Sequence, residues 1–175
     1  MFDAVILAGG LGTRLRSVVS DVPKCMAPVD GRPFLEWVLR WIEPFSPGKI
    51  ILSLGYLSEV VTEWVNTTMK DYPIPIEWVV EETPLGTGGG IKLALSKVTA
   101  DECVIWNGDT FSDVGLNALC GFREKTGAVL AVALKPMERF DRYGSVTLDT
   151  HSRIISFNEK RYCDKGLING GLYYL

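Results

Sequence analysis

The residues best suited to phosphate chemistry stand near the start of the chain, directly after a short apolar run. They form the segment Leu7-Ala8-Gly9-Gly10-Leu11-Gly12-Thr13-Arg14-Leu15. Glycines let backbone N–H groups approach phosphate oxygens without an intervening side chain, and Arg14 adds a fixed positive charge with several donors. The segment therefore predicts a phosphate-binding loop. The alternative is a tight turn with a surface arginine.

Two better-known phosphate motifs do not fit this chain. The stretch from Gly10 to Leu15 lacks the third glycine of the dinucleotide fingerprint, and no Gly-Lys-Ser or Gly-Lys-Thr occurs anywhere for a P-loop. Dinucleotide-dependent oxidoreductases and P-loop kinases are therefore disfavoured.

A lysine held between two prolines is a second candidate for phosphate contact. Lys24 lies in Val22-Pro23-Lys24-Cys25-Met26-Ala27-Pro28. Proline restricts the backbone, so this segment would hold the ammonium group in a defined place. An ordinary surface lysine is the competing interpretation.

Asp109 is the predicted magnesium ligand. It follows Asn107-Gly108 after a buried strand, and ligands bind at the carboxyl ends of strands in α/β folds. Mg²⁺ prefers one or two carboxylates together with phosphate oxygens and water, so a single aspartate gives an incomplete but chemically sensible site. Asp109 could instead cap the next helix, although Asp113 fits that role better because Val114 begins the next apolar period.

A glycine-rich stretch from Leu85 to Gly90 offers a wall against which a nucleotide base could lie. Glu81 and Glu82 precede it, and their carboxylates only accept hydrogen bonds. Guanine presents N1–H and N2–H donors, whereas uracil and thymine are more naturally matched by an amide. Guanine is therefore favoured, with two solvated glutamates before a turn as the alternative.

The elements that must position these residues alternate between strand-length apolar runs and stretches of helical period. This alternation is typical of an α/β fold with a largely parallel sheet. Helices are predicted from Pro33 to near Pro44, around residues 60–65, and from the glycines before Ile91. The predicted strands span residues 4–8, 49–54, 76–80, 102–106, 128–134, 145–148, 154–157 and 167–175. Strands without long helices after Ala128 suggest a β region on the substrate side.

Composition favours small-molecule chemistry. The 175 residues are 47% hydrophobic and 22% charged, with a net charge of −3. These values are typical of a globular domain, and the acidic balance argues against a general affinity for nucleic acid or an anionic membrane. The four cysteines and the single histidine, His151, show neither zinc-site spacing nor a disulfide framework. No basic, apolar leader precedes the first strand, so the predicted location is the cytoplasm.

The order of these motifs resembles the sugar nucleotidyltransferase family. GGLGTRL, PKCMAP, PLGTGGGI and NGD follow one another over essentially the whole chain. Residues 16–24 and 106–111 resemble in particular the guanylyltransferases that act on D-glycero-α-D-manno-heptose 1-phosphate. The resemblance implies a single Rossmann-like nucleotidyltransferase domain over residues 1–175, with a mixed, mainly parallel central sheet and helices on both faces. It implies Mg²⁺ as the cofactor and a role in nucleotide-sugar supply for capsule or lipopolysaccharide.

The resemblance also implies roles for individual residues. Catalytic roles fall on Arg14, Lys24 and Asp109, with Asp109 also binding the metal. Nucleotide-binding roles fall on Leu7, Ala8, Gly9, Gly10, Gly12, Thr13, Glu81, Gly86, Thr87 and Gly88. Sugar-phosphate-binding roles fall on Asn107, Tyr143, Gly144, Glu159, Lys160 and Asn169.

Family members usually have a second metal-binding aspartate beyond the equivalent of Leu175. The chain stops inside an apolar run, so we expect the natural domain to continue there. The expected reaction joins a nucleoside monophosphate from GTP to a heptose 1-phosphate and releases pyrophosphate. UTP or dTTP with a hexose or amino-sugar phosphate is an alternative. A binding or regulatory subunit without catalysis is another. A homodimer is common among relatives, although no exposed apolar helix demands one.

Overall fold

The computed structural model describes residues 1–10, 22–111 and 114–175. The predictions for Leu11, Gly12, Thr13, Arg14 and Asp113 lie outside these residues. The chain divides into two compact units, one formed by residues 1–111 with Leu175 and the other by residues 112–174. Each unit is described by itself.

The first unit alternates strands and helices, as the sequence predicts. Its elements are β1 (Phe2–Leu7), β2 (Pro28–Val29), β3 (Arg32–Pro33), α1 (Phe34–Ile42), β4 (Ile50–Leu54), α2 (Ser58–Thr67), β5 (Ile76–Val80), α3 (Gly86–Leu95) and β6 (Glu102–Asn107). The predicted bounds of β5 are confirmed, and those of β1, β4 and β6 are correct to within two residues.

A parallel sheet with the order β5-β4-β1-β6 forms the core of this unit. The inner strands β1 and β4 are buried on both faces, because a parallel strand with neighbours on both sides is covered above and below. The chain runs from β1 to β4 and β5 on one side, then returns to β6 on the other side of β1. Such a reversal opens a crevice at the carboxyl end of β1, where α/β folds bind ligands.

Helix α1 follows the predicted apolar period. Leu35, Val38, Leu39 and Ile42 are buried, at the spacing of one helical face. Just before this helix, β2 and β3 form a small hairpin that the sequence analysis did not predict. Its turn residues Asp30 and Gly31 have φ angles of 50° and 75°, which an Asp-Gly pair adopts readily.

The described residues of the second unit, 114–174, form one helix and four antiparallel-paired strands. Its elements are α4 (Leu116–Thr126), β7 (Ala131–Phe140), β8 (Ser145–Leu148), β9 (Ile154–Phe157) and β10 (Cys163–Tyr174). Strand β10 pairs with β7 and β8, and β8 pairs with β9. The predicted α/β class, with both parallel and antiparallel pairs, is confirmed.

The bounds of two strands and the N-cap of the helix in this unit differ from the prediction. Strand β7 covers residues 131–140 instead of 128–134, and β10 starts at Cys163 instead of Leu167. The pairing of β7 with β10 carries both strands into polar sequence, as at Lys165 opposite Glu138. Gly115 occupies the N-cap of α4, the position that the sequence analysis gave to Asp113.

Candidate active site

A cavity of about 540 Å³ lies in the first unit at the carboxyl ends of the parallel strands. This is a normal volume for a small-molecule site. Its described lining consists of Leu7, Ala8, Gly9, Gly10, Lys24, Cys25, Ser53, Gly55, Tyr56, Glu81, Glu82, Pro84, Gly86, Thr87, Gly90, Asn107, Gly108 and Asp109. The segments that follow all four strands therefore contribute to one cavity.

The segment after β1 is held between two glycines from neighbouring loops. A Cβ at Gly55 would lie 2.8 Å from the Gly9 carbonyl oxygen, and one at Gly108 would lie 2.9 Å from the Leu7 carbonyl oxygen. The Gly108 N–H donates to that same Leu7 oxygen at 2.9 Å. No side chain fits at either position without displacing the segment, so both glycines fix the approach of Leu7–Gly10 to the cavity.

Lys24 stands at the start of a 3-10 turn that is anchored by its neighbours. The side chains of Cys25 and Met26 are buried, and the Met26 N–H donates to the Pro23 carbonyl oxygen at 2.8 Å. The Lys24 side chain is 42% exposed and reaches the cavity. The turn therefore fixes an ammonium group at the cavity wall.

Asp109 forms an ion pair with Lys24 at this wall. The Lys24 Nζ donates to Asp109 Oδ2, and the Thr110 hydroxyl donates to Asp109 Oδ1 at 3.0 Å. Both members of the pair are partly open to solvent. The Lys24 ammonium could bind a phosphate and the Asp109 carboxylate could bind a cation. These two groups are in direct contact with one another.

The Glu81 carboxylate joins three parts of the cavity. Its Oε2 accepts a hydrogen bond from the Leu85 N–H at 2.9 Å, and its Oε1 accepts one from the Ser53 hydroxyl at 3.4 Å. A Cβ at Gly90 would lie 2.6 Å from Oε1, and one at Gly9 would lie 3.3 Å from it. The carboxylate thus fills the space that these two glycines leave.

Cys25 directly follows Lys24 and carries a thiol, which is a potential nucleophile. This thiol is unsuited to nucleophilic attack. Burial raises the pKa of Cys25 to about 12, so the thiol stays protonated. Its Sγ donates toward the Ala8 carbonyl oxygen at 3.9 Å. Cys25 therefore packs the Lys24 turn against the segment after β1.

The cavity brings together most of the residues predicted for the nucleotide. Gly88 does not line it, and Gly12, Thr13 and Arg14 lie outside the described residues. The predicted residues in the lining are Leu7, Ala8, Gly9, Gly10, Lys24, Glu81, Gly86, Thr87, Asn107 and Asp109. Sequence reasoning missed Ser53, which lies inside β4, and Gly55 and Tyr56, which follow this strand. The position of Gly55 and Tyr56 directly after a buried parallel strand was the available signal.

The other residues predicted for the sugar phosphate belong to the second unit. Tyr143 is half exposed, and Glu159 and Lys160 are exposed just after β9. A Cβ at Gly144 would lie 2.4 Å from the Asn158 carbonyl oxygen, so this glycine is required by packing. The local structure explains the residue type at Gly144.

Asn169 has a structural partner for each end of its amide. Its Nδ2 donates to the Tyr173 hydroxyl at 2.8 Å, and its Oδ1 accepts from the Gly171 N–H at 2.9 Å. Gly171 has a φ of 74° at an irregularity in the pairing of β10 with β7. Asn169 therefore supports this irregularity in the pairing of β10 with β7.

Within the described ranges 1–10, 22–111 and 114–175, no group of three or more His, Cys, Asp or Glu side chains could hold a metal ion. Asp109 is the predicted ligand that reaches the cavity. None of the helices described in these ranges is long and apolar enough to cross a membrane.

Comparison with known proteins decides the family. The model of the nucleotidyl transferase family matches residues 3–175. The chain belongs to this family. This nucleotidyltransferase is 42% identical over 173 residues to the D-glycero-alpha-D-manno-heptose 1-phosphate guanylyltransferase of Campylobacter jejuni, covering 99% of the chain and 75% of the relative. It is 44% identical over 171 residues to the protein of the same name from Aneurinibacillus thermoaerophilus, covering 98% of the chain and 73% of the relative.

The fold of this nucleotidyltransferase is also found in solved structures. HddC from Yersinia pseudotuberculosis, in complex with GMP-PN, matches with a TM-score of 0.81 at 36% identity. The match covers 100% of this chain and 76% of that one. The predicted family, fold class and enzyme class are therefore confirmed.

Proposed function

We propose that this nucleotidyltransferase transfers GMP from GTP to D-glycero-α-D-manno-heptose 1-phosphate and releases pyrophosphate. The observation that carries the proposal is the pairing of a phosphate-binding segment with an acidic base site in one cavity. Glu81 supplies acceptors beside Gly86 and Thr87, and guanine is the base whose Watson–Crick edge offers N1–H and N2–H donors. The names of the two relatives above 40% identity support the same base and sugar.

The reaction is an in-line displacement at the α-phosphorus of GTP. An oxygen of the sugar phosphate forms the new P–O bond, and the bond to pyrophosphate breaks. Both reactants are anions, so the chain contributes mainly positioning and neutralisation of charge. The backbone N–H groups of Gly9 and Gly10 and the Lys24 ammonium serve the triphosphate, together with Arg14, whereas the Ala8 N–H donates to the Ser53 carbonyl oxygen at 2.8 Å. Burial raises the pKa of the Cys25 thiol, so Cys25 is not expected to form a covalent intermediate with the nucleotide.

Members of this family generally use a divalent metal ion, and we assign it as Mg²⁺ held by Asp109. A carboxylate at the cavity wall suits a hard cation that completes its shell with phosphate oxygens and water. When bound, the ion neutralises charge on the triphosphate. Asp109 holds its position through the Thr110 hydroxyl, and it must exchange its contact with Lys24 for the cation.

Among the residues predicted for the sugar phosphate, Asn107 lines the cavity. Glu159 accepts hydrogen bonds from sugar hydroxyls, Lys160 pairs with the phosphate, and Tyr143, Gly144 and Asn169 complete the set. We place the protein in the cytoplasm, where GTP and sugar phosphates are available.

The test is pyrophosphate release with GTP, UTP, dTTP, CTP or ATP against a panel of sugar 1-phosphates that includes the heptose. We expect release with GTP and the heptose 1-phosphate in the presence of Mg²⁺. An Asp109→Ala variant should lower the rate by about 10²-fold to 10³-fold, because a preorganised charged group at the reacting phosphates is lost.

Other outcomes would select the alternatives. Preference for UTP or dTTP with a hexose or amino-sugar phosphate would contradict the guanine assignment and keep the enzyme class. Nucleotide binding without pyrophosphate release across the whole panel would favour a regulatory subunit.

A further inference from the structure

A buried hydroxyl on β4 lies directly behind the proposed base site. Ser53 is only 1% exposed, one of three buried polar or charged residues in the described chain. Its Oγ lies 3.4 Å from Glu81 Oε1 and 3.4 Å from the Gly90 carbonyl oxygen. Both neighbours are acceptors, so the single hydroxyl proton is directed at them.

The contacts of Glu81 fix the plane of its carboxylate. The Leu85 N–H at the start of α3 donates to Oε2 at 2.9 Å, and the Ser53 hydroxyl on β4 donates to Oε1. With one contact removed, the carboxylate could turn about the other. A guanine edge presents two parallel N–H donors in one plane. Guanine therefore binds more tightly to a carboxylate that is held in the same plane.

The packing around Glu81 leaves little room for another arrangement. Oε1 sits where a side chain of residue 90 would begin, and it is close to the corresponding position of Gly9. The parallel pairing of β4 with β5 sets Ser53 beside Val79, two residues before Glu81. The register of the sheet therefore places the Ser53 hydroxyl beside the Glu81 carboxylate.

We propose that Ser53 is a positioning residue for guanine recognition, acting through Glu81. This inference rests on the proposed contact between Glu81 and guanine. Ser53 itself does not touch the reacting atoms. Its hydroxyl orients Glu81 so that both carboxylate oxygens face the guanine edge, and it thereby contributes to the preference for GTP.

The experiment compares GTP with ITP, whose base lacks the 2-amino group. Ser53→Ala removes the hydroxyl and leaves the buried volume almost unchanged. We expect kcat/KM for GTP to fall by about three- to tenfold, the usual effect of one lost hydrogen bond. The fall with ITP should be smaller, so the GTP-to-ITP ratio decreases, and KM for the sugar phosphate should not change. Ser96→Ala, which removes a hydroxyl bonded to Leu93 outside the cavity, is the control.

A double-mutant cycle separates positioning from a general structural effect. In a Glu81→Ala background, Ser53→Ala should have no further effect on the GTP-to-ITP ratio. The two kcat/KM values of a variant are measured on the same preparation. Their GTP-to-ITP ratio therefore does not depend on the fraction of that preparation that is folded. The inference would be overturned by an unchanged GTP-to-ITP ratio in Ser53→Ala, or by the same change of the ratio in both backgrounds. In either case, GTP turnover by the unaltered protein would still uphold the proposed function. Absence of that turnover would overturn both.

Discussion

At the scale of single residues, the Glu81 carboxylate depends on the glycines beside it. It lies against Gly90 of α3, where a Cβ would be 2.6 Å from Oε1, and near Gly9 of the segment after β1, where a Cβ would be 3.3 Å away. The glycine-rich sequence from Gly86 to Gly90 therefore serves two purposes. Part of it begins a helix at the cavity, and Gly90 makes room for an acidic side chain.

Gly90→Ala tests this demand, with Gly121→Ala inside α4 as the matched control. The new Cβ at residue 90 would lie 2.6 Å from Glu81 Oε1 and push the carboxylate away, whereas no described heavy atom outside the local helix backbone lies within 4 Å of one at residue 121. We expect KM for GTP to rise on the order of tenfold in Gly90→Ala, as a charge-assisted contact is lost. Gly121→Ala should keep its KM and gain about 0.5–1 kcal/mol in the free energy of unfolding.

Steady-state kinetics and urea titration measure the two effects. Equal KM values in both variants would contradict the role given to Gly90.

The sequence could predict Lys24, Asp109 and the segment after β1, because glycine or proline marks each of them beside an apolar run. Ser53 carries no such mark. It lies inside β4, where a small polar residue in an apolar strand has no assigned partner until the register with β5 is known. Contacts between strands 28 residues apart are set by the whole sheet, so the sequence alone does not give them.

At the scale of elements, α1 depends on a buried carboxylate between two arginines. Glu36 Oε1 accepts from Arg32 Nη1 at 2.7 Å and from Arg40 Nη2 at 2.9 Å. Burial acts to raise the pKa of Glu36, but the hydrogen bonds and charges of Arg40 and Arg32 together lower it. The triad links the β2–β3 hairpin to the helix that follows it.

Glu36→Gln should lower the free energy of unfolding by about 1 kcal/mol near neutral pH, because charge-assisted hydrogen bonds are lost. A lowered folded-state pKa means that the stabilisation is present above the unfolded pKa and disappears as the pH falls through the folded value. The difference from the unaltered protein should therefore shrink in strong acid. Urea titrations near neutral pH and at about pH 3 check this.

The matched control is Glu63→Gln on α2. Glu63 is exposed and has no ion pair among the residues that the structure describes. A pH-independent loss in Glu36→Gln, or an equal loss in both variants, would contradict the role of the triad.

The bounds of the strands show which parts of the fold can be predicted from local sequence and which cannot. The sequence indicated β8 and β9 correctly because turn residues separate them, with Asp149 accepting from the His151 and Arg153 N–H groups at 2.8 Å. It predicted β7 too short because residues 135–139 have no apolar alternation. Their strand conformation comes from pairing with β10, which only the folded chain provides. The β2–β3 hairpin was predictable from its Asp-Gly turn and was missed.

At the scale of the whole molecule, the described cavity is formed entirely by residues 7–109, and most of the predicted sugar-phosphate residues belong to residues 112–174. The two substrates should therefore respond to different substitutions. Lys160→Ala should raise KM for the sugar phosphate by about tenfold, since a direct charge contact with phosphate is lost, and leave KM for GTP unchanged.

Lys165→Ala is the control, because Lys165 is exposed on β10 and pairs with Glu138 at 3.0 Å. Initial-rate kinetics with each substrate varied in turn measure both constants. A rise in KM for GTP alone would contradict the assignment of Lys160.

The Lys24–Asp109 ion pair also bears on how a catalytic cycle closes. Under the proposed function, the nucleotide would take the Lys24 ammonium as its partner, and the metal ion would take the Asp109 carboxylate. After product release the two side chains would pair with one another again, as they do in the structure. Their mutual attraction would then compete with the departing pyrophosphate and favour turnover over product retention.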